Sequence, residues 1–263
     1  MRGARTKKGS LTAVGTGFQI SGQVTPEALT CIQRAGKLFH LFGDPLTELW
    51  LQKANPSAES LRGCYIVGRD RLEIYEEIVA RLLAAVRAGL DVCAVTYGHP
   101  GVFAYPFHEA IRRARRAGFR TAMLPGISAA DCLFADLGVD PSEGCQMFEA
   151  TDFLIHQRKF DSTCALLLWQ IGVIGVVTYE NKALCNPEGL RVLADVLAKA
   201  YSPTHRVTVY ETPSYAISAP IIHRTVLRRL DKAPVTVGST LYVPPLSTPR
   251  LSRRMAMRIG FED

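Results

Sequence analysis

The sequence predicts an α/β protein built on parallel sheet, and three observations predict it. Short apolar runs of strand type alternate with segments of helical period, the helices carry caps, and the strand runs end in glycine-bearing loops. "SLTAVGTG" (10–17) is a short strand entering a glycine turn. "TPEALTCIQRAG" opens a helix with Thr25 as N-cap and Pro26 at the first helical position, and Gly36 stops it. "KLFHLF" (37–42) is the next strand. The clearest helix is "DRLEIYEEIVARLLAAVRAG", where Leu72, Tyr75, Val79, Leu82, Leu83 and Val86 recur at helical spacing and Gly89 ends the run. "DVCAVTYG" is a strand, 107–117 a helix and "FRTAMLPG" a strand; Ser128 then caps a helix with Asp131 as its capping-box partner. Further on, "ALLLWQIG" (165–172), "HRVTVYE" (205–211) and "GSTLYVPP" (238–245) are strands, and 187–200 is a helix. The chain divides into a disordered basic lead (1–9), an N-terminal α/β domain (10–125), a C-terminal α/β domain (126–245) and a basic tail (246–263).

Composition narrows the function classes. Apolar residues at 48% and charged residues at 21% are ordinary for a soluble globular chain, and a net charge of +7 permits an anionic ligand without demanding one. The densest basic run, Arg112-Arg113-Ala114-Arg115-Arg116, wraps around a helix and reads as a solvated surface, not a nucleic-acid face. Seven cysteines without a Cys-x-x-Cys pair argue against a disulfide framework or a zinc site. Cys31, Cys93, Cys132 and Cys164 lie in apolar runs and read as small core residues in a reducing compartment. His40, His108, His156, His205 and His223 show no metal-ligand spacing, so no metal is expected. Met1 to Gly9 leads into no apolar signal segment, and the greasy stretch Cys164 to Val177 is broken by Gln170 and falls short of the roughly 18 residues a membrane span needs. The expectation is a cytoplasmic protein with neither nucleic-acid nor membrane partners.

In an open parallel sheet, ligands bind beyond the carboxyl ends of the strands. Four unusual stretches stand at such ends: VGTG (14–17), YGHPG (97–101), LPGISAAD (124–131) and LWQIG (168–172). Glycines there let backbone amides approach a ligand, and the helix after Ser128 offers unpaired N–H groups to an anion. VGTG alone lacks the third glycine of a dinucleotide fingerprint and reads as a plain turn.

As a set, the strings VGTG, YGHPGVF and LPGISAADCLFADLGVD resemble the tetrapyrrole methylase superfamily. That resemblance implies two α/β domains of the class III methyltransferase type, with S-adenosylmethionine in the interdomain cleft and S-adenosylhomocysteine as product. "VCAVTYGHPGVF", "MLPGISAADCLFADLGVDP", "FEATDFLI" and "LLLWQIGVIG" are similar to the borosin-type peptide backbone α-N-methyltransferases, over about Ser10 to Pro245. Carried over residue by residue, the resemblance implies a catalytic segment "GRDRLEIYEE" with Arg71 and Tyr75, joined by Tyr97 of the YGHPG loop, which also borders the cofactor. It places Tyr65 near the substrate. It gives cofactor contacts to His99, Val102, Phe103, Ser128, Ala129, Gln170, Ser239 and Thr240, and to Thr212 after "VYE".

The chemistry agrees with that assignment. An amide nitrogen is a poor nucleophile because its lone pair is delocalised into the carbonyl. Methylating it calls for removal of the N–H proton and stabilisation of the oxygen as charge develops. Arg71 and Tyr75 lie at i and i+4 on one helix face. A guanidinium beside a phenol favours phenolate, which is expected to lower the pKa of Tyr75 toward usefulness as a base. Taken without the resemblance, Tyr75 is core packing, Arg71 a first-turn surface residue and His99 a hydrogen-bonder within its turn.

Fungal members of the borosin type continue into an apolar C-terminal peptide that the enzyme methylates on itself, whereas this chain ends in "RLSRRMAMRIGFED". "WQIGVIGVV" (169–177) reads as strand and loop, not as such a peptide. Arg62 stands where some relatives carry an aromatic. The resemblance therefore implies iterative methylation of a separate precursor peptide, by a homodimer that can form a two-to-two complex with it. The alternatives are a tetrapyrrole C-methyltransferase or ribosomal-RNA methyltransferase of the same fold, and an inactive peptide-binding scaffold.

Overall fold

The computed structural model describes residues 8–19, 22–180 and 185–261. These divide into two compact units. The first comprises Met1–Gly138, Val176–Lys182 and Thr212–Ile221; the second comprises Val139–Gly175, Ala183–Glu211 and Ile222–Asp263. Pro125 and Gly126, where the sequence suggests a boundary, lie inside the first unit.

The first unit alternates as expected: β1 (Ser10–Gly15), α1 (Pro26–Arg34), β2 (Lys37–His40), α2 (Pro45–Ala54), β3 (Ala58–Ser60), α3 (Arg71–Arg87), β4 (Asp91–Thr96), α4 (Tyr105–Arg116), β5 (Arg120–Met123) and α5 (Ala129–Leu137). Its five strands lie in the order β3-β2-β4-β1-β5, and the pairs described are all parallel. Side chains alternate across a strand, and both faces of this sheet are covered. Leu11, Ala13, Val92 and Ala94 pack with Ile74, Ile78, Leu82, Phe107 and Ala110 of α3 and α4. Val14, Cys93 and Val95 pack on the other face with Ala28, Ile32 and Leu51 of α1 and α2. That is why these strands read as unbroken apolar runs.

The second unit holds β6 (Cys145–Glu149), α6 (Ala150–Ile155), β7 (Ala165–Trp169), α7 (Pro187–Ala198), β8 (Arg206–Glu211), β9 (Ile221–Val226), β10 (Thr240–Val243) and α8 (Arg253–Arg258). Its strand order is β6-β7-β10-β8-β9. Leu166, Leu168, Val209 and Leu241 close its core with Leu190, Leu193 and Leu197 of α7.

Several expectations are corrected. The second sheet is mixed: β7 runs parallel to β6, and β10 runs antiparallel to both β7 and β8. Between β9 and β10 the chain forms a short 3-10 turn, Leu227–Lys232, and no α-helix of the kind that usually carries a parallel crossover. On α3, Leu72 is 55% exposed, and Ile74 and Ile78 take the core positions instead. Of the basic lead, residues 1–7 lie outside the described residues, but Gly9 is buried, and a Cβ there would stand 2.1 Å from the Val86 carbonyl oxygen. Cys93 is buried as expected, whereas Cys31, Cys132 and Cys164 are only half-buried. Gly36 does not turn the chain at the end of α1; Ala35 does, by going extended at ψ 136°. Within the tail, Arg253–Arg258 is helical. No helix among the described residues is long and apolar enough to cross a membrane.

Candidate functional site

The carboxyl edge of the first sheet is knitted by glycine backbones. Gly17 and Gly98 exchange backbone hydrogen bonds of 3.3 and 2.8 Å, so the loops after β1 and β4 are joined. Both have φ of +66°, a conformation open to glycine at little cost. A Cβ on Gly15 would lie 2.1 Å from the Gly98 carbonyl oxygen, and one on Gly126 would lie 2.9 Å from the same atom. Three loops thus meet through bare backbone, which gives VGTG a use beyond a plain turn. Tyr97 projects beside this junction, 57% exposed, with its ring 5.9 Å from Phe18 and 6.3 Å from Phe42.

The segment carrying Tyr65 and Arg71 is held by chain from far along the sequence. Gly68 N–H donates to the Tyr179 carbonyl, Tyr179 N–H to Arg69 and Arg71 N–H to Val177. The rings of Tyr65 and Tyr179 meet edge-on at 5.2 Å. Asp70 caps α3 by accepting from Leu72 and Glu73, which sets Arg71 at the first helical position and Tyr75 one turn on. Glu77 anchors the arrangement, accepting from Arg69 at 2.5 Å, Arg81 at 2.7 Å and the Cys64 thiol at 3.4 Å. Neither Glu77 nor Tyr179 was legible as part of this assembly, because no local pattern announces the return of a distant segment.

These ion pairs hold the Glu77 carboxyl down to about 2, against an ordinary value of 4.5. A depressed carboxyl contributes stability above its unfolded value and loses it as pH falls through the folded one. Stability is therefore expected to fall from pH 4.5 down to about 2, with Glu77→Gln reducing that slope in denaturant unfolding measured across the range.

Three tyrosines and one arginine from the predicted set come together. Burial first, then the phenols of Tyr75 and Tyr97, push the Tyr65 phenol up, while Arg71 opposes them. Burial likewise raises the Tyr75 phenol, and Arg71 lowers it by less. The expectation that Arg71 makes Tyr75 unusually acidic is thus overturned: desolvation of the phenolate outweighs the guanidinium. Tyr75 rests as a neutral phenol, to be deprotonated only when further positive charge or a proton acceptor arrives.

Among the cofactor candidates, the turn occupies part of the chemistry. His99 Nδ1 accepts from the Gly101 N–H at 2.9 Å, so in a neutral ring the proton sits on Nε2. Val102 and Phe103 are exposed, and Phe103 carries φ of 53°, uncommon for a side chain of that size. Ser128 caps α5, its hydroxyl 2.7 Å from Asp131 Oδ2, so its side chain holds the helix end. Ala129 opens that helix, where amides lack partners within the helix. Thr212 is buried and its Oγ1 has no hydrogen-bond partner, an arrangement that suits a polar ligand atom.

In the second unit, Gln170 follows β7 with φ of 57°, and the next residue, Ile171, donates its N–H to the Ser239 carbonyl at 3.2 Å. The Ser239 hydroxyl accepts from Thr236 N–H at 2.9 Å and lies 3.3 Å from Glu211 Oε2, so it too is engaged in structure. Thr240 is buried at the start of β10, opposite Tyr210. Among the described residues, no three or more His, Cys, Asp or Glu side chains stand together to hold a metal.

The first unit is thus an α/β protein with a parallel sheet, a glycine-knit carboxyl edge and tyrosines beside it. Residues 10–231 match the tetrapyrrole (corrin/porphyrin) methylases, and the chain belongs to that family. It is 39% identical over 246 residues to the methyltransferase/ribosomally synthesized cyclic peptide dendrothelin A precursor of Dendrothele bispora, covering 92% of this chain and 59% of that protein. It is 37% identical over 250 residues to a methyltransferase/ribosomally synthesized type I borosin cyclic peptide precursor of Coprinopsis marcescibilis, covering 92% and 63%. The chain thus spans about three fifths of the length of these relatives. The fold is similar to that of uroporphyrin-III-C-methyltransferase from Thermus thermophilus, with a TM-score of 0.64 and 19% identity, over 91% of this chain and 93% of that one.

Proposed function

We propose that this methylase is an S-adenosylmethionine-dependent α-N-methyltransferase that iteratively methylates backbone amides of a precursor peptide on a separate chain. One observation carries the reading: the Tyr65, Tyr75 and Tyr97 phenols and the Arg71 guanidinium act on one another within the first unit. The kinship with proteins named as precursors of ribosomally synthesized cyclic peptides supports a peptide substrate over a tetrapyrrole.

The cofactor would supply an electrophilic methyl on a sulfonium. In the first unit its proposed contacts are His99, Val102, Phe103, Ala129 and Thr212, with the backbones of Tyr97 and Ser128; in the second they are Gln170, Ser239 and Thr240. Once the Tyr75 phenol has released its own proton to solvent, the phenolate takes the amide proton, and Arg71 or Tyr97 donates to the amide oxygen as it gains charge. Tyr65 holds the peptide. A positive charge held near the phenols lowers their proton affinity and so offsets the burial that keeps Tyr75 neutral at rest. Alignment of nitrogen with methyl is the remaining task, and positioning supplies most of the rate.

Mass spectrometry after co-expression with a candidate precursor peptide supplied on a separate chain tests the reading. Whole methyl increments on that peptide, located by fragmentation on backbone nitrogens, are expected. Increments on the enzyme itself would remove the separate-chain element. An unmodified peptide, with methyl transferred to a uroporphyrinogen or to ribosomal RNA, would overturn the peptide reading. A homodimer is part of the proposal, and a monomer by light scattering at working concentration would remove it.

Thr212 gives a direct check on cofactor binding. Thr212→Val removes a buried hydroxyl without a partner, so the ligand-free protein is expected to gain up to about 1 kcal/mol. Affinity for S-adenosylmethionine by calorimetry is expected to fall by about tenfold, the worth of one lost hydrogen bond.

A further inference from the structure

We infer that Tyr105 is a positioning residue: its ring, clamped by Glu76, holds the phenol of Tyr75 in the orientation that proton removal requires. The inference rests on the proposed role of Tyr75.

Tyr105 is the first residue of α4, and the buried face of that helix is made without it, by Pro106, Phe107, Ala110, Ile111 and Ala114. At 43% exposure an aromatic there contributes little to the core. Its ring instead lies 5.9 Å from the Tyr75 ring at 33° between planes, within the range where aromatic pairs attract. The Tyr105 hydroxyl donates to Glu76 Oε1 at 3.2 Å. Desolvation and that bond to a carboxylate keep the phenol protonated, so it remains a donor.

Glu76 is itself fixed. Arg113 grips both of its oxygens at 2.8 Å, Nη2 on Oε1 and Nη1 on Oε2, and Arg113 Nε donates to Glu109 Oε1 at 2.5 Å. Glu109 in turn holds Arg112. Two residues of the basic run, Arg112 and Arg113, thus form an ion-pair cluster with Glu109 and Glu76, and Arg113 joins α4 to α3. Glu76 follows Tyr75 directly in α3, so Tyr105 is held at its ring by one residue and at its hydroxyl by the next. A two-torsion side chain pinned at both ends is a fixed wall for the Tyr75 ring.

The same turn of α4 reaches the loop after β4, because His108 Nε2 lies 2.8 Å from the Gly101 carbonyl oxygen. Tyr75 is then faced by Arg71 from its own helix, by the phenols of Tyr65 and Tyr97 from the adjoining loops, and at its ring by Tyr105 from α4.

The test uses the full chain with Tyr105→Ala, Tyr105→Phe and Glu76→Gln, beside Tyr75→Phe. Two readouts are taken: methylation of the co-expressed peptide, and fluorine NMR of protein labelled with monofluorinated tyrosine, with the Tyr75 signal assigned by its loss in Tyr75→Phe. In Tyr105→Ala, kcat is expected to fall about tenfold with KM nearly unchanged, as for a misplaced catalytic group. The Tyr75 resonance should shift and narrow, and its titration midpoint should fall as the ring opens to water. Tyr105→Phe keeps the wall and loses the pin, so it should fall between; Glu76→Gln, whose amide oxygen still accepts, should stay near wild type. An inactive Tyr75→Phe beside a Tyr105→Ala with wild-type kcat and an unchanged Tyr75 signal would overturn this inference alone. A fully active Tyr75→Phe would overturn the proposed base, and the inference with it.

Discussion

Tyr75→Phe is expected to slow methyl transfer by roughly 10²–10⁴-fold, the usual worth of a positioned general base. The substitution keeps the ring, its contact with Tyr105 and the packing of α3, and removes one oxygen. Folding stability should therefore change by no more than about 1 kcal/mol, and S-adenosylmethionine should still bind. A pH–rate profile separates the roles further. Because burial raises the Tyr75 phenol above its ordinary value, activity should climb with pH through the neutral range and beyond, and the residual activity of Tyr75→Phe should lose that climb. Arg71→Ala removes a cation that opposes burial, so its profile should move to higher pH. Equal rates and profiles in wild type and Tyr75→Phe would remove the base from this residue.

Gly15→Ala carries the largest expected effect on folding. The added Cβ would lie 2.1 Å from the Gly98 carbonyl oxygen and 2.9 Å from Pro100 Cδ. The nearest obstacle is backbone, at the end of a central strand paired on both sides, so no side chain can swing away to relieve it. Separating β1 from the loop after β4 is expected to destabilise the protein by about 3 kcal/mol, a large part of the stability of an ordinary domain. It should also weaken cofactor binding through the displaced YGHPG loop. Gly63→Ala is the control, since nothing stands within 4 Å of a Cβ there, and it should stay within about 0.5 kcal/mol of wild type in denaturant unfolding.

A cap before proline marks three helix starts, two of which are legible in the sequence. Thr25-Pro26 announced α1, and Asn186-Pro187 marks α7, where Asn186 accepts from Gly189 N–H at 3.1 Å. Asp44-Pro45 carries the same signal for α2, with Asp44 accepting from Thr47 at 2.8 Å, yet the run after it lacks a clean apolar stripe, so the sequence alone does not announce the helix. Strands β3, β6 and β9 escaped because they are short or only partly buried, and a partly buried run has no hydrophobic pattern to read. The loops after β1, β4, β5 and β7 are legible because each carries glycine, the residue that lets backbone approach backbone or a ligand closely.

By itself, the sequence determined the alternation of strands and helices, the caps, the four glycine loops and the identity of the tyrosines and arginine that resemble a methyl-transfer set. These depend on interactions within a few residues, or on strings long enough to be distinctive. Only the tertiary structure decided the proton affinity of Tyr75, because burial depends on every element packed around the ring and outweighs the one charge visible at i−4. It likewise decided the mixed second sheet, the return of 177–179 to brace Arg69 and Arg71, and the clamp on Tyr105, since each joins residues that no local spacing relates.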